Sequence, residues 1–261
     1  MINLNRFLIT YKKFIQLMRV ALFFAHADLK AKHRRSILGN FWIVMTTGLS
    51  ILGLSFVWSI LTKTPQNEIV PNLCIGLITW QFIANQITSA PSLFIRQTSI
   101  IQNIEAPLAY ISLHSLLNAL VIYFHNSILI ALIIIFYLDL SMTYILFFPN
   151  LFIVCFLIFN LNIILGFLGA RYRDIEPFIA SIMPIMFFLT PVMYKAKSFG
   201  DYLWLQYFNP FYYLLTFVRD PLLGQAPNII VSVVTLSVCA LSIIFSTYLT
   251  HRYKGRLFFW L

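Results

Sequence analysis

Charge is scarce in this chain. Of its 261 residues 10% are Asp, Glu, Lys or Arg, and only 8 are acids. A soluble domain has about a quarter of its residues charged, so that class is excluded. A hydrophobic content of 60% and a mean hydropathy of +0.85 describe an integral membrane protein. Cysteine is also sparse. Cys74, Cys155 and Cys239 fall in three separate apolar runs without CxxC spacing, which excludes a metal or redox pair and leaves buried free thiols. The five histidines have no ligand spacing, and there is no GxxxxGK, HExxH or GxSxG stretch, so the signatures of a phosphate loop, a zinc protease and a serine hydrolase are missing. His114 and His125 lie in an apolar run, where facing a pore and being satisfied by a neighbouring helix both fit, the second being the expectation. No acid lies in the middle of an apolar run. Ion-coupled carriers place ionisable groups within the membrane, so the energy for any transport is expected from elsewhere. The first 35 residues contain no unbroken apolar stretch, so no cleavable signal peptide is expected and the mature chain is expected to begin at Met1.

What is present is a series of apolar runs. A helix needs about 20 apolar residues to cross the hydrocarbon core, which predicts six spans: 38–61, 70–90, 107–138, 144–170, 177–194 and 228–249. An even number puts both termini on one side. With the N-terminus inside, the cytoplasmic segments hold fourteen Lys and Arg residues, eight of them before Ser36. The other face keeps Lys63, Lys195, Lys197 and Arg219. That asymmetry fixes the orientation. The net charge of +10 invites a nucleic-acid partner, but the bases sit at the ends of apolar runs rather than on a binding face, so none is expected.

The stretch DLKAKHRRSILGNFW, Asp28 to Trp42, concentrates Lys30, Lys32, His33, Arg34 and Arg35 before the first span. Such a collar anchors in anionic lipid at roughly 1 kcal/mol per base. Ahead of it Phe7, Tyr11, Phe14, Met18, Ala21, Ala25 and Leu29 recur at three- and four-residue steps, the stripe of a helix lying in the membrane interface. Residues 1–35 therefore form an interface helix and collar, 38–249 a six-span core and 250–261 a cytoplasmic tail, all in one domain.

Two connections are more than loops. SLFIRQTSIIQNIEAPL, Ser92 to Leu108, is amphipathic and ends at Pro107; a short helix under the membrane and an ordinary connector both fit it. Segment 195–227 contains DYLWLQYFNPFYYLLTFVRDPLLG, with two apolar pieces too short to cross and a break at Asn209-Pro210. A re-entrant pair and two surface helices both fit. In the turn GARYRDIEPF, Arg171 and Arg173 suit a helix C-terminus, and Asp174 is expected to cap the next helix, with Glu176 and Pro177 in its first turn. Aromatic residues reach 17% of the chain and crowd into LWLQYFNPFYYLLTF. Grouped at a re-entrant turn they would offer apolar faces with polar tips to passing sugar rings; facing lipid is the alternative.

Three stretches together resemble the permease subunits of polysaccharide-exporting ABC transporters of type 2. They are DLKAKHRRSILGNFW, RYRDIEPFIASIMPIMFFLTPVMY with its Pro191, Val192 and Tyr194 element, and NPFYYLLTFVRDPLLG. One departure is Glu176, where relatives frequently carry a small residue. The resemblance implies an all-α, six-span subunit with a cytoplasmic coupling helix and a periplasmic re-entrant pair, moving lipid-linked O-antigen or capsule-like glycan across the bacterial inner membrane. It implies two copies of this chain, two copies of an ATP-binding cassette ATPase, and ATP and Mg bound by that partner, with no cofactor on this chain. It assigns ATPase coupling to Lys30, Lys32, Arg34, Arg35, Arg96, Gln97, Asn103 and Glu105. Arg171, Arg173, Asp174 and Pro177 form the family turn. Trp42, Tyr194, Trp204, Tyr207, Phe211, Tyr212 and Tyr213 are assigned to the substrate channel or outer gate. A lipid or drug exporter on the same scaffold stays open. A membrane-embedded glycosyl- or acyltransferase would need paired carboxylates or a histidine at a membrane surface, and no such site is visible.

Overall fold

The computed structural model describes residues 4–32, 37–104, 108–194 and 204–261. Among them the chain is helical, with no strand. Helix α1, Leu4–Lys32, runs along α6, Leu108–Tyr137. Ala21 and Ala25 are fully buried on the packed side, so small residues let the two backbones approach. Val20, Leu22, Phe23 and Phe24 point outward, a greasy outer face for an element preceding the first span.

Among the described residues four helices are long and apolar enough to cross a membrane: α2, Phe41–Thr62; α6; α7, Phe147–Arg171, extended by a 3-10 turn at Met142–Leu146; and α11, Ile229–Trp260. Two further helices occupy the other expected spans. The first, α3, Gln66–Ser89, is long enough, but polar residues dilute it. The second, α8, Ile175–Leu189, has 15 residues, about 22 Å at 1.5 Å per residue. It stops short of the expected Tyr194 because the chain turns at Thr190-Pro191. At the other end of the chain α11 continues eleven residues beyond the expected boundary, so the tail 250–261 is helical to Trp260.

α7 is the central element. It packs on α11, α6 and α3, and hydrogen bonds between side chains and neighbouring helices join it to each. Ser246 Oγ donates to Asn160 Oδ1 at 2.6 Å, Ser112 Oγ to Phe159 O at 2.8 Å, and Asn162 Nδ2 to Gln86 Oε1 at 2.8 Å. Where lipid supplies no hydrophobic drive between helices, such bonds contribute on average about 0.6 kcal/mol each and fix the register. Cys74, Cys155 and Cys239 are buried free thiols.

Two glycines mark contacts that no side chain allows. A Cβ on Gly76 would collide with the Val192 carbonyl, and one on Gly169 with the Pro91 carbonyl. Gly76 therefore seats the chain just after α8 against α3, and Gly169 seats the 90–92 turn against the end of α7.

Candidate functional site

The segment after α8 folds inward. Helix α9, Trp204–Tyr207, is a single turn, and α10, Pro210–Leu222, follows it. Between them Asn209 caps α10: its Oδ1 accepts from Phe211 N at 2.9 Å, with Pro210 at the first helical position. The same side chain donates from Nδ2 to Thr190 Oγ1 at 2.8 Å, tying the turn to the end of α8. Tyr207, Phe208, Pro210 and Phe211 line an apolar cavity with Leu157 and Leu161 of α7 and Val234 and Val238 of α11. Farther along α10, Phe217 O accepts from Asn150 Nδ2 at 2.7 Å, and Pro221 O from Thr143 Oγ1 at 3.1 Å. α10 thus starts beside the middle of α7, about 15 Å along from its first residue, and climbs back to that helix's beginning.

Arg219 holds this arrangement from within. It is 5% exposed. Its Nη1 donates to Pro191 O, and Nη2 lies 3.2 Å from Asp220 Oδ1. The guanidinium therefore bridges the chain after α8 to α10, with both charges compensated as a buried pair requires. In the sequence Arg219 stands only as one of four bases on the outer face; its carbonyl partner comes from 28 residues away, a contact no local pattern encodes.

Most of the expected aromatic set gathers here. Tyr207 and Tyr212 rings stand 6.2 Å apart edge to face, Tyr212 and Tyr213 5.3 Å, and Trp204 and Phe208 6.1 Å. Tyr213 is buried, and its hydroxyl donates to Tyr207 O at 2.9 Å, closing α9 onto α10. Phe211 turns inward onto Trp80 of α3, ring to ring at 5.6 Å. Tyr194 lies at the far end of α2 beside Trp58 and Thr62, with its hydroxyl donating to Phe188 O. Trp42 stands apart: it is exposed at the opposite end of α2, about 30 Å from Thr62 along the helix. Trp80 was not among the expected aromatics, because inside an apolar run it reads as core.

A family model described as ABC-2 type transporter matches residues 13–223. The chain belongs to that family. Its relatives include an O-antigen export system permease protein RfbA of Klebsiella pneumoniae, 24% identical over 77% of this chain and 79% of that protein. A protein of the same name from Myxococcus xanthus is 21% identical over 67% of each chain. ABC-2 permeases are transport subunits, and the aromatic-rich α9–α10 segment lies inside the matched region.

At the opposite end of this ABC-2 permease, the expected coupling helix is two pieces, α4, Leu93–Arg96, and α5, Thr98–Ile104, broken at Gln97. Phe94 is fully buried against Phe167 of α7, which holds the break in place. Arg96 Nη2 donates to Ser89 O at 3.0 Å, so it closes back over α3. Lys30 is exposed on α1. Lys32 ends α1 and Asn103 lies in the last turn of α5, with their side chains outside the described residues, as are Arg34, Arg35 and Glu105 altogether. The family turn clasps the C-terminus: Arg171 stacks over Tyr172 and Trp260 at 5.1 and 5.4 Å, and Arg173 Nη2 donates to Trp260 O at 3.1 Å. Pro177 lies in the first turn of α8 as expected. Asp174 corrects the expectation: it occupies the cap position but is itself in helical backbone conformation, and its side chain makes no capping bond.

Proposed function

We propose that the chain is the channel-forming subunit of an ATP-driven exporter of lipid-linked polysaccharide, O-antigen or capsule type, in the bacterial inner membrane. The observation that carries this is the family match across residues 13–223 together with relatives named as O-antigen export permeases over 77% of the chain. In this reading α2, α3, α6, α7, α8 and α11 make six crossings, α3 and α8 reaching across with the help of the packed segments around them, and both termini face the cytoplasm. α1 lies in the interface. α4 and α5 receive the push of an ATPase subunit, two copies of which serve two copies of this chain and bind ATP and Mg. The outward apolar faces of α2, with Leu49, Leu52 and Phe56, and of α8, with Phe178, Ile185 and Phe188, suit a seam between the two copies that parts on ATP-driven closure.

The re-entrant reading of α9 and α10 is supported by the depth of the Asn209 turn. Irregular backbone at membrane depth is tolerated only where protein surrounds it, and Asn209, Gln206 and Arg219 are each buried. This pair closes the outer end of the conduit. The test is purification with the candidate ATPase subunit: the two co-purify, and lipid-linked glycan extracted from the source organism stimulates ATP hydrolysis. Purification of a functional protein with no such companion would contradict the reading.

A further inference from the structure

Away from the α9–α10 segment, α3 and α6 enclose an open cavity of about 720 Å³, within the roughly 300–1,000 Å³ of small-molecule sites. Its walls are unusual for a chain this apolar. On α3, Gln81, Asn85 and Ser89 recur at four-residue steps, and on α6 His114, Asn118 and Asn126 occupy one face, so two polar stripes oppose each other. The sequence carries this signal as polar residues at helical spacing within apolar runs.

The polar atoms here are not all used internally. Asn126 is 4% exposed, yet its Oδ1 has no hydrogen-bond partner among the described residues, and Asn118 Oδ1 is likewise buried and unpartnered. By contrast Gln86 in the same wall is engaged by Ser115 and Asn162. Buried polar atoms in native proteins are nearly always paired, so these two carboxamides, on residues that line the cavity, keep bonding capacity that a turn of the side chain offers to an occupant.

The charges say which kind. At the mouth stand Asp28, Glu176 and Arg96, and Asp28 Oδ2 lies 3.2 Å from His114 Nε2. Among the described lining residues two carboxylates stand against one guanidinium and one imidazole, a set that offers no net positive charge to a phosphate or diphosphate. Carboxamides both donate and accept, matching hydroxyls that do the same. The rings of Phe82 and Tyr123, 5.2 Å apart, add an apolar wall.

We propose that the α3–α6 cavity is a saccharide-binding site, holding a sugar residue of the transported glycan through Asn118, Asn126 and Asn85. This rests on the glycan-export reading and adds a place of recognition within each subunit. The permease is assayed with its ATPase subunit in lipid nanodiscs. Three additions are compared: lipid-linked glycan extracted from the source organism's membranes, the same carrier stripped of glycan, and phosphatidylglycerol. Asn118→Leu and Asn126→Leu are expected to raise the glycan concentration for half-maximal ATP hydrolysis about tenfold each, while thermal stability holds or rises because an unpaired buried amide is removed. Asn85→Ala, at an exposed position that truncation leaves folded, is expected to shift the response the same way by severalfold. A wild-type response to glycan that all three variants retain unchanged would overturn the site alone and point to ordered water as the occupant. An equal shift toward the stripped carrier would overturn the sugar assignment. No wild-type response to any glycan would instead overturn the export reading.

Discussion

Two groups of buried carboxamides and charges in this molecule are used differently. In the α9–α10 segment Asn209 uses both ends of its carboxamide, Arg219 binds a carbonyl and a carboxylate, and Asn150 reaches the backbone of α10. In the α3–α6 cavity Asn118 and Asn126 leave their carbonyl oxygens unpartnered. Satisfied groups hold a shape, and unsatisfied ones wait for something to bind. On the proposed readings the contrast separates a part that closes from a part that recognises, although both belong to one helical bundle.

Mutation can break that contrast or sharpen it. The largest effect is expected for Arg219→Met, which strands the Pro191 carbonyl and the half-buried Asp220 carboxylate; because Asp220 keeps some solvent, the cost is about 3 kcal/mol, the low end for breaking a buried pair. Thermal unfolding in detergent measures it, and a drop no larger than for a surface substitution would remove Arg219 as the clasp. Next comes Gly76→Val, whose side chain must displace the Val192 backbone at about 1–3 kcal/mol, read by the same thermal unfolding. Asn209→Ala loses the α10 cap and the Thr190 bond, about 1–2 kcal/mol, again read by unfolding. The smallest stability change is expected for Asn118→Leu, within about 1 kcal/mol of wild type and in the stabilising direction. If Asn118→Leu costs as much as Asn209→Ala, the two regions do not differ and the contrast fails.

Local physics made part of this legible in advance. The apolar runs of α2, α6 and α7 begin and end within a few residues of expectation because hydrocarbon thickness sets helix length. The break at Asn209-Pro210 was readable because proline and a capping residue punctuate any helix. The Thr190-Pro191 pair that shortens α8 carried the same signal inside an apolar run, and the run masked it. What stayed hidden depends on distant partners. Gly76 looks like a tolerated helix glycine until Val192 is laid against it. The helical tail is held by Arg171 and Arg173 gripping Trp260, 87 residues from Arg173. Asp174 has a capping residue's chemistry without its backbone angle. The polar stripes of α3 and α6 were visible singly, but only their juxtaposition makes a cavity.

On the proposed reading this permease moves glycan only when a separate ATPase drives it. The direct measurement reconstitutes the chain in sealed vesicles, with and without the candidate ATP-binding subunit, and follows appearance of lipid-linked glycan on the opposite leaflet by lectin binding. The account predicts translocation that requires both the subunit and hydrolysable ATP. Equal translocation by the permease alone would contradict it.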